Sequence, residues 1–154
     1  MNAKLICSVM LFNYNALEKR CEWIDKTIFN TAVHSARKDT WEVCKRIEQL
    51  TQEKIAYINT KVVVDNALAT LNRTYELEHH HFNGGSIEEI ANALNEKWKT
   101  IEQRACRQRE KLYQAIESSY TAEELLEMIS GSAWLMHKYK EAVKRAENKQ
   151  ADEE

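Results

Sequence analysis

The chain has 154 residues, 30% of them charged, with a formal net charge of -2, no proline and only three glycines. Near-balanced charge excludes a nucleic-acid binder, which needs a surplus of lysine and arginine against phosphates. No stretch approaches the roughly 20 consecutive apolar residues of a membrane helix, so no membrane association is expected.

So few breakers let helices run long. The segment from Met1 to Phe12 is apolar, but Lys4 and then Asn13 interrupt it and no small-residue cleavage site follows. No signal peptide is expected. Cys7, Cys21, Cys44 and Cys106 form no C-x-x-C pair. Three fall on or beside helical seams, where a free thiol behaves as a small apolar group, and a reduced, cytoplasmic setting follows.

The first helix is predicted over residues 3 to 30. Its seam of Ala3, Cys7, Met10, Tyr14, Leu17, Cys21, Ile24 and Ile28 alternates steps of four and three. Val9, Leu11, Trp23 and Phe29 add apolar surface off that seam. Burial on two sides favours a bundle of three or more helices over a two-stranded coil.

Residues 30 to 35 break the period, and Asp39-Thr40-Trp41-Glu42 then offers a helix cap. The helix that follows is predicted over 40 to 78, about 60 Å at about 1.5 Å per residue. Its seam runs Val43, Ile47, Leu50, Lys54, Tyr57, Lys61, Val64, Leu68, Leu71 and Tyr75, with Ile55, Ile58 and Val62 in the adjacent column. The two lysines are expected to snorkel at the seam's edge or to face acidic residues of a second chain.

Residues 79 to 85 form the next connection, ending in Asn83-Gly84-Gly85. Ser86-Ile87-Glu88-Glu89 reads as a capping box: Ser86 accepts from the N–H three residues on, and Glu89 reaches back. The third helix, 87 to 118, carries the seam Ile87, Ala91, Leu94, Trp98, Ile101, Ala105, Gln108, Leu112 and Ala115. An apolar residue at that interval is what a helix facing partner helices needs. Thr121-Ala122-Glu123-Glu124 opens a short helical turn, Ser130-Gly131-Ser132 ends it, and a helical pattern resumes at Ala133. The expected fold is all-α: an elongated up-down-up three-helix bundle over 3–118, with 121–150 a C-terminal helical extension or the start of a next module.

Leu94-Asn95-Glu96-Lys97-Trp98-Lys99-Thr100-Ile101 resembles the L-N-x-x-W-x-x-L/I signature of the last helix in a spectrin repeat, and Cys21-Glu22-Trp23-Ile24 is similar to the tryptophan motif of its first helix. The resemblance implies a buried centre containing Trp23, Ile24, Leu94, Trp98 and Ile101. Residues 13 to about 117 are most similar in order and spacing to the last rod repeat of the α-actinins. Residues 121 to 154 lack the D-x-D-x-D-G loop that follows in that family, and the actin-binding domain would lie outside this chain.

Glu78-His79-His80-His81 matches the Glu-x-x-His spacing of di-metal bundles, and no copy exists on a second helix outside residues 76–81. It reads as the solvated start of a loop, with adventitious zinc or nickel binding as the alternative. No nucleophile elbow or phosphate-cradling glycine loop is present, so no catalytic residue, cofactor or metal is expected. Trp41 either closes the bundle end or meets a partner. Trp134, beside Leu135 and Met136, either packs on the bundle end or faces a partner.

The resemblance implies a structural rod and spacer that pairs as an antiparallel homodimer in an actin-cross-linking, cytoskeletal protein, actin being bound only through domains elsewhere. The alternative is a monomeric spectrin-repeat scaffold that binds a signalling partner, as such repeats do beside GTPase exchange-factor domains.

Overall fold

The computed structural model describes residues 2–37 and 39–153, with only the backbone of Arg37. It is all-α: α1 (Ala3–Phe12), α2 (Tyr14–Val33), α3 (Thr40–Leu68), α4 (Tyr75–Leu77, one turn), α5 (Ile87–Leu94), α6 (Trp98–Ser119), α7 (Ala122–Ser130) and α8 (Ala133–Glu153). A 3-10 turn (Ser35–Arg37) joins α2 to α3, and a π turn (Glu78–Phe82) continues α4. Among the described residues no helix is long and apolar enough to cross a membrane.

Each of the three long helices expected from the seams is interrupted. The first breaks at Asn13, whose side-chain Nδ2 donates to the Val9 carbonyl at 2.7 Å. A local side-chain bond of this kind competes with the helical ladder. The second ends at Leu68, ten residues early, so α3 spans about 44 Å, not 60. The third breaks at Asn95, which takes the left-handed conformation at φ 52°. Glu96 N–H then bonds the Ala91 carbonyl at 3.0 Å, the six-to-one closure that ends a helix in a Schellman motif. Asparagine is one of the few residues that enters this region at small cost.

The caps form as read. Ser86 with Glu89 and Thr121 with Glu124 each make the reciprocal capping box, while Asp39 accepts from Trp41 N–H without the return bond. Each supplies partners to N–H groups that the helix itself leaves free.

The core gathers around α1. Ile6, Cys7, Met10 and Leu11 are fully buried and share one cluster with Val63 and Val64 of α3, Leu112, Tyr113 and Ile116 of α6, Leu125 and Ile129 of α7, and Leu135 of α8. The segment after Ser119 therefore contributes directly to the core that holds α1. Gly131 lets the end of α7 come close to α3: a Cβ there would lie 3.1 Å from the Gln52 carbonyl oxygen. Burial pushes the Cys7 thiol up to about 12, so it acts as an apolar group.

Beyond Ile24 and Leu50, which still belong to this core cluster, α2 and α3 continue as a two-helix arm. Among the described residues between 24 and 50, only Ile24, Val43 and Leu50 are buried. Lys54 pairs with Asp25 at 2.6 Å and Tyr14 Oη donates to Asp65 at 2.5 Å, each linking the two helices. The seam lysine thus meets an acid of its own chain.

Candidate functional site

Two features stand apart from ordinary core packing: a polar network where α4 meets α6, and an exposed apolar stripe on α3. The network begins where α3 stops. Thr70 Oγ1 donates to the Ala67 carbonyl at 2.7 Å, and the chain crosses to Thr74, whose hydroxyl donates to Glu78. The single turn of α4 then delivers Glu76 and Leu77 to α6, both buried.

Gln108 receives them. Its Oε1 accepts from Leu77 N–H at 2.9 Å and its Nε2 donates to Glu76 Oε2 at 2.5 Å. Glu76 and Gln108 are each 7% exposed. Arg104 approaches the other carboxylate oxygen at 3.6 Å and also pairs with Glu96 at 2.6 Å. A buried carboxylate is tolerable only with such partners. Above the pair opens a cleft of about 400 Å³ lined by Arg73, Glu76, Arg104, Arg107, Gln108 and Lys111.

The histidine run follows on the π turn, a form often found at functional positions. The solvated loop expected there is corrected: His79 and His80 are half-buried and His81 is buried. His80 and His81 meet edge to face at 4.6 Å, yet the three side chains bond different partners. His79 faces Glu89 at 3.8 Å, His80 Nδ1 meets the Gly85 carbonyl at 2.9 Å, and His81 Nε2 faces Arg109 at 3.4 Å with Phe12 edge-on to its ring. Burial, then the neighbouring His80 and Arg109, lower the His81 pKa to about 4. The ring is therefore neutral at pH 7, and its Nε2 accepts from the guanidinium. Among the described residues no three His, Cys, Asp or Glu side chains converge as a metal site.

The residues expected at the centre divide. Ile24 and Ile101 are fully buried, Ile24 between α2 and α3 and Ile101 in a separate small cluster with Ile90 and Ala91. Trp23 (50% exposed), Leu94 (41%) and Trp98 (45%) are corrected to surface positions. Leu94 and Trp98 flank the Asn95 break, so neither faces a continuous bundle interior. Trp23 lies on the surface of the thin arm, beside Ala16, Lys19 and Arg20. Trp41 is exposed with Lys45 over its ring at 4.9 Å. Trp134 packs at the core's edge, under the Arg20 guanidinium at 4.0 Å and edge-on to Tyr57.

Tyr57 is the fixed point there. Its fully buried hydroxyl donates to Glu53 and accepts from Arg20 and Ser132.

The second feature lies on the opposite edge of α3. Ile55, Ile58 and Val62 are 50%, 45% and 46% exposed. Steps of three and four put them on one helical face. Lys54, four before Ile58, and Asp65, three after Val62, both bridge to α2, so the stripe borders the α2–α3 groove.

Glu76, Arg104, Arg107, Gln108 and Lys111 were not singled out as a site by the sequence pattern. The available signal was Gln108, the polar residue on an otherwise apolar seam. Compared with family models, curated proteins and solved structures, the chain matches none.

Proposed function

We propose that the chain is a helical interaction module that self-associates through its α2–α3 arm, without catalysis of its own. What carries the reading is the stripe of Ile55, Ile58 and Val62 beside the groove between α2 and α3. Two antiparallel helices leave a groove that a third helix fills in a bundle, and knobs at three- and four-residue steps are what such a helix packs against. In an antiparallel pair, each copy lays its α3 stripe against the other. Exposed Phe29, Val33 and Trp41 extend apolar surface along the arm toward a stable interface of ~1,200–2,000 Å².

The spectrin-type rod of an actin-cross-linking protein enters this reading only as the nearest class of helical spacer. Its supporting features, two buried tryptophans and uninterrupted helices, are not what this chain builds. The self-association reading stands on the stripe and not on that resemblance.

The test is mass in solution by sedimentation equilibrium. The native chain is expected near twice 18.0 kDa, and Ile55→Glu with Ile58→Glu near the monomer mass with unchanged helicity. A native chain that stays monomeric into the high micromolar range refutes self-association and turns the reading to the scaffold with a foreign partner.

A further inference from the structure

We infer that the cleft between α6 and the segment 70–77 binds the phosphate group of a small phosphomonoester. Four cations, Arg73, Arg104, Arg107 and Lys111, line it against a single carboxylate, Glu76. Arg104 is already committed to Glu76 and Glu96. Among the described residues Arg73, Arg107 and Lys111 pair with no carboxylate, so about three positive charges line the cleft in excess of the Arg104–Glu76 pair. Charges of one sign on a concave surface focus the field and concentrate a counter-ion. Arginine adds planar, paired donors suited to phosphate oxygens.

The floor is built, not incidental. Gln108 uses both ends of its amide, on Leu77 N–H and on Glu76, and is 7% exposed. That holds α6 and α4 at a fixed separation and sets Arg104 beside Glu76. Arg107 and Lys111 lie on the same α6 face, three after Arg104 and seven after it, while Arg73 reaches in from the loop ahead of α4. The positive groups thus come from two separate elements held apart by a buried network.

Ligand size follows from the neighbouring depression, which shares Arg73 and Lys111 with the cleft. It adds the polar side chains of Thr70, Asn72 and Gln114, with Leu71 and Ala115 as apolar floor. Uncharged hydrogen-bonding groups beside an anion site suit the hydroxyl-bearing remainder of a phosphomonoester. A nucleic-acid backbone is disfavoured because the basic surface is one cleft on a chain of net charge -2.

The test uses inorganic phosphate as the probe, followed by backbone amide NMR on the intact chain at constant ionic strength with chloride. Saturable shifts confined to residues 70–77 and 104–114 are expected. Arg107→Gln with Lys111→Gln should weaken binding about tenfold or more while leaving thermal stability unchanged, since both side chains are exposed. Arg145→Gln, an exposed guanidinium far along α8, should leave it untouched. Non-saturating shifts, equal shifts from chloride alone, or an unaffected double variant would overturn the proposal. So would a single-stranded oligonucleotide that binds more tightly and is not displaced by phosphate. Neither result bears on self-association, which sedimentation reads separately.

Discussion

Replacing Gln108 by leucine keeps the bulk of the side chain and removes both ends of its amide. Two groups lose their partner: the Leu77 N–H, held at 2.9 Å, and the Glu76 carboxylate, held at 2.5 Å. A buried N–H left unsatisfied costs about 1–3 kcal/mol, and a hydrogen bond to a charged group contributes about 1.5–3 kcal/mol. Arg104 remains near Glu76 at 3.6 Å and offsets part of the second term. The sum is about 3–5 kcal/mol, a large share of a typical domain's 5–15 kcal/mol or so. At about 2–4 °C per kcal/mol for a chain of this size, the melting midpoint should fall by roughly 6–20 °C. Thermal scans followed by far-ultraviolet circular dichroism read the midpoint and urea unfolding reads the free energy, with Glu76→Leu and the Glu76→Leu/Gln108→Leu pair completing a double-mutant cycle. The pair should be more stable than Gln108→Leu alone, because removing the carboxylate removes the uncompensated charge. If Gln108→Leu unfolds within about 0.5 kcal/mol of the native chain, water or another group satisfies α4 and the buried network is not what docks it on α6.

Asn95 separates a broken helix from a continuous one by sign. At φ 52°, Asn95→Gly should be neutral or slightly stabilising and Asn95→Ala should cost about 1 kcal/mol, whereas a continuous helix reverses both signs; thermal melts of the two variants decide. Ser86→Ala and Thr121→Ala should each lose about 1 kcal/mol of unfolding free energy through their capping bonds, and a loss below about 0.3 kcal/mol would mean the caps are replaced by water. His81 binds its proton less readily in the fold than in the unfolded chain, its pKa lowered to about 4 from 6.5. Stability should therefore fall as pH drops from about 6.5 and level off below about 4, by about 3 kcal/mol in all. His81→Phe should remove that part of the dependence in pH-resolved urea titrations, and an unchanged slope would show the ring to be solvated.

Seam periodicity located the faces that neighbours cover. Ile24, Leu50, Ile101, Ala105 and Leu112 all stand on the expected seams and are all buried. Off-seam Val9 and Leu11 are buried too, which is the two-sided burial that their positions implied for α1. The two complete capping boxes were legible for the same reason: both need only a side chain and a backbone group within one turn. The chain's course between those faces was not legible. Periodicity is preserved on either side of a break that keeps the same face inward, so the run Ile87 to Leu112 carries no mark of the turn at Asn95. Without proline or glycine at these points, the first and third breaks rest on single asparagines and the second on Ala69 and Thr70, residues common enough inside a helix to pass unnoticed.

The tryptophans failed for a related reason. A large aromatic residue near a seam reads as core, but its burial depends on whether a third helix covers that level of the bundle. Trp23 stands half-exposed on α2, and Trp98 half-exposed where α6 opens just beyond the Asn95 turn, so neither ring is covered at its level. The same absence exposes Ile55, Ile58 and Val62, which formed a second apolar column in the sequence with no internal neighbour to claim it. Gln108 makes the converse case: a polar residue on an apolar seam looks like a fault in the pattern until α4 arrives beside it, carrying one donor and one acceptor that fit the two ends of its amide. Both exceptions mark places where burial is decided by elements distant in sequence. That is why the exposed stripe and the cleft are visible in the assembled structure and not in any local motif.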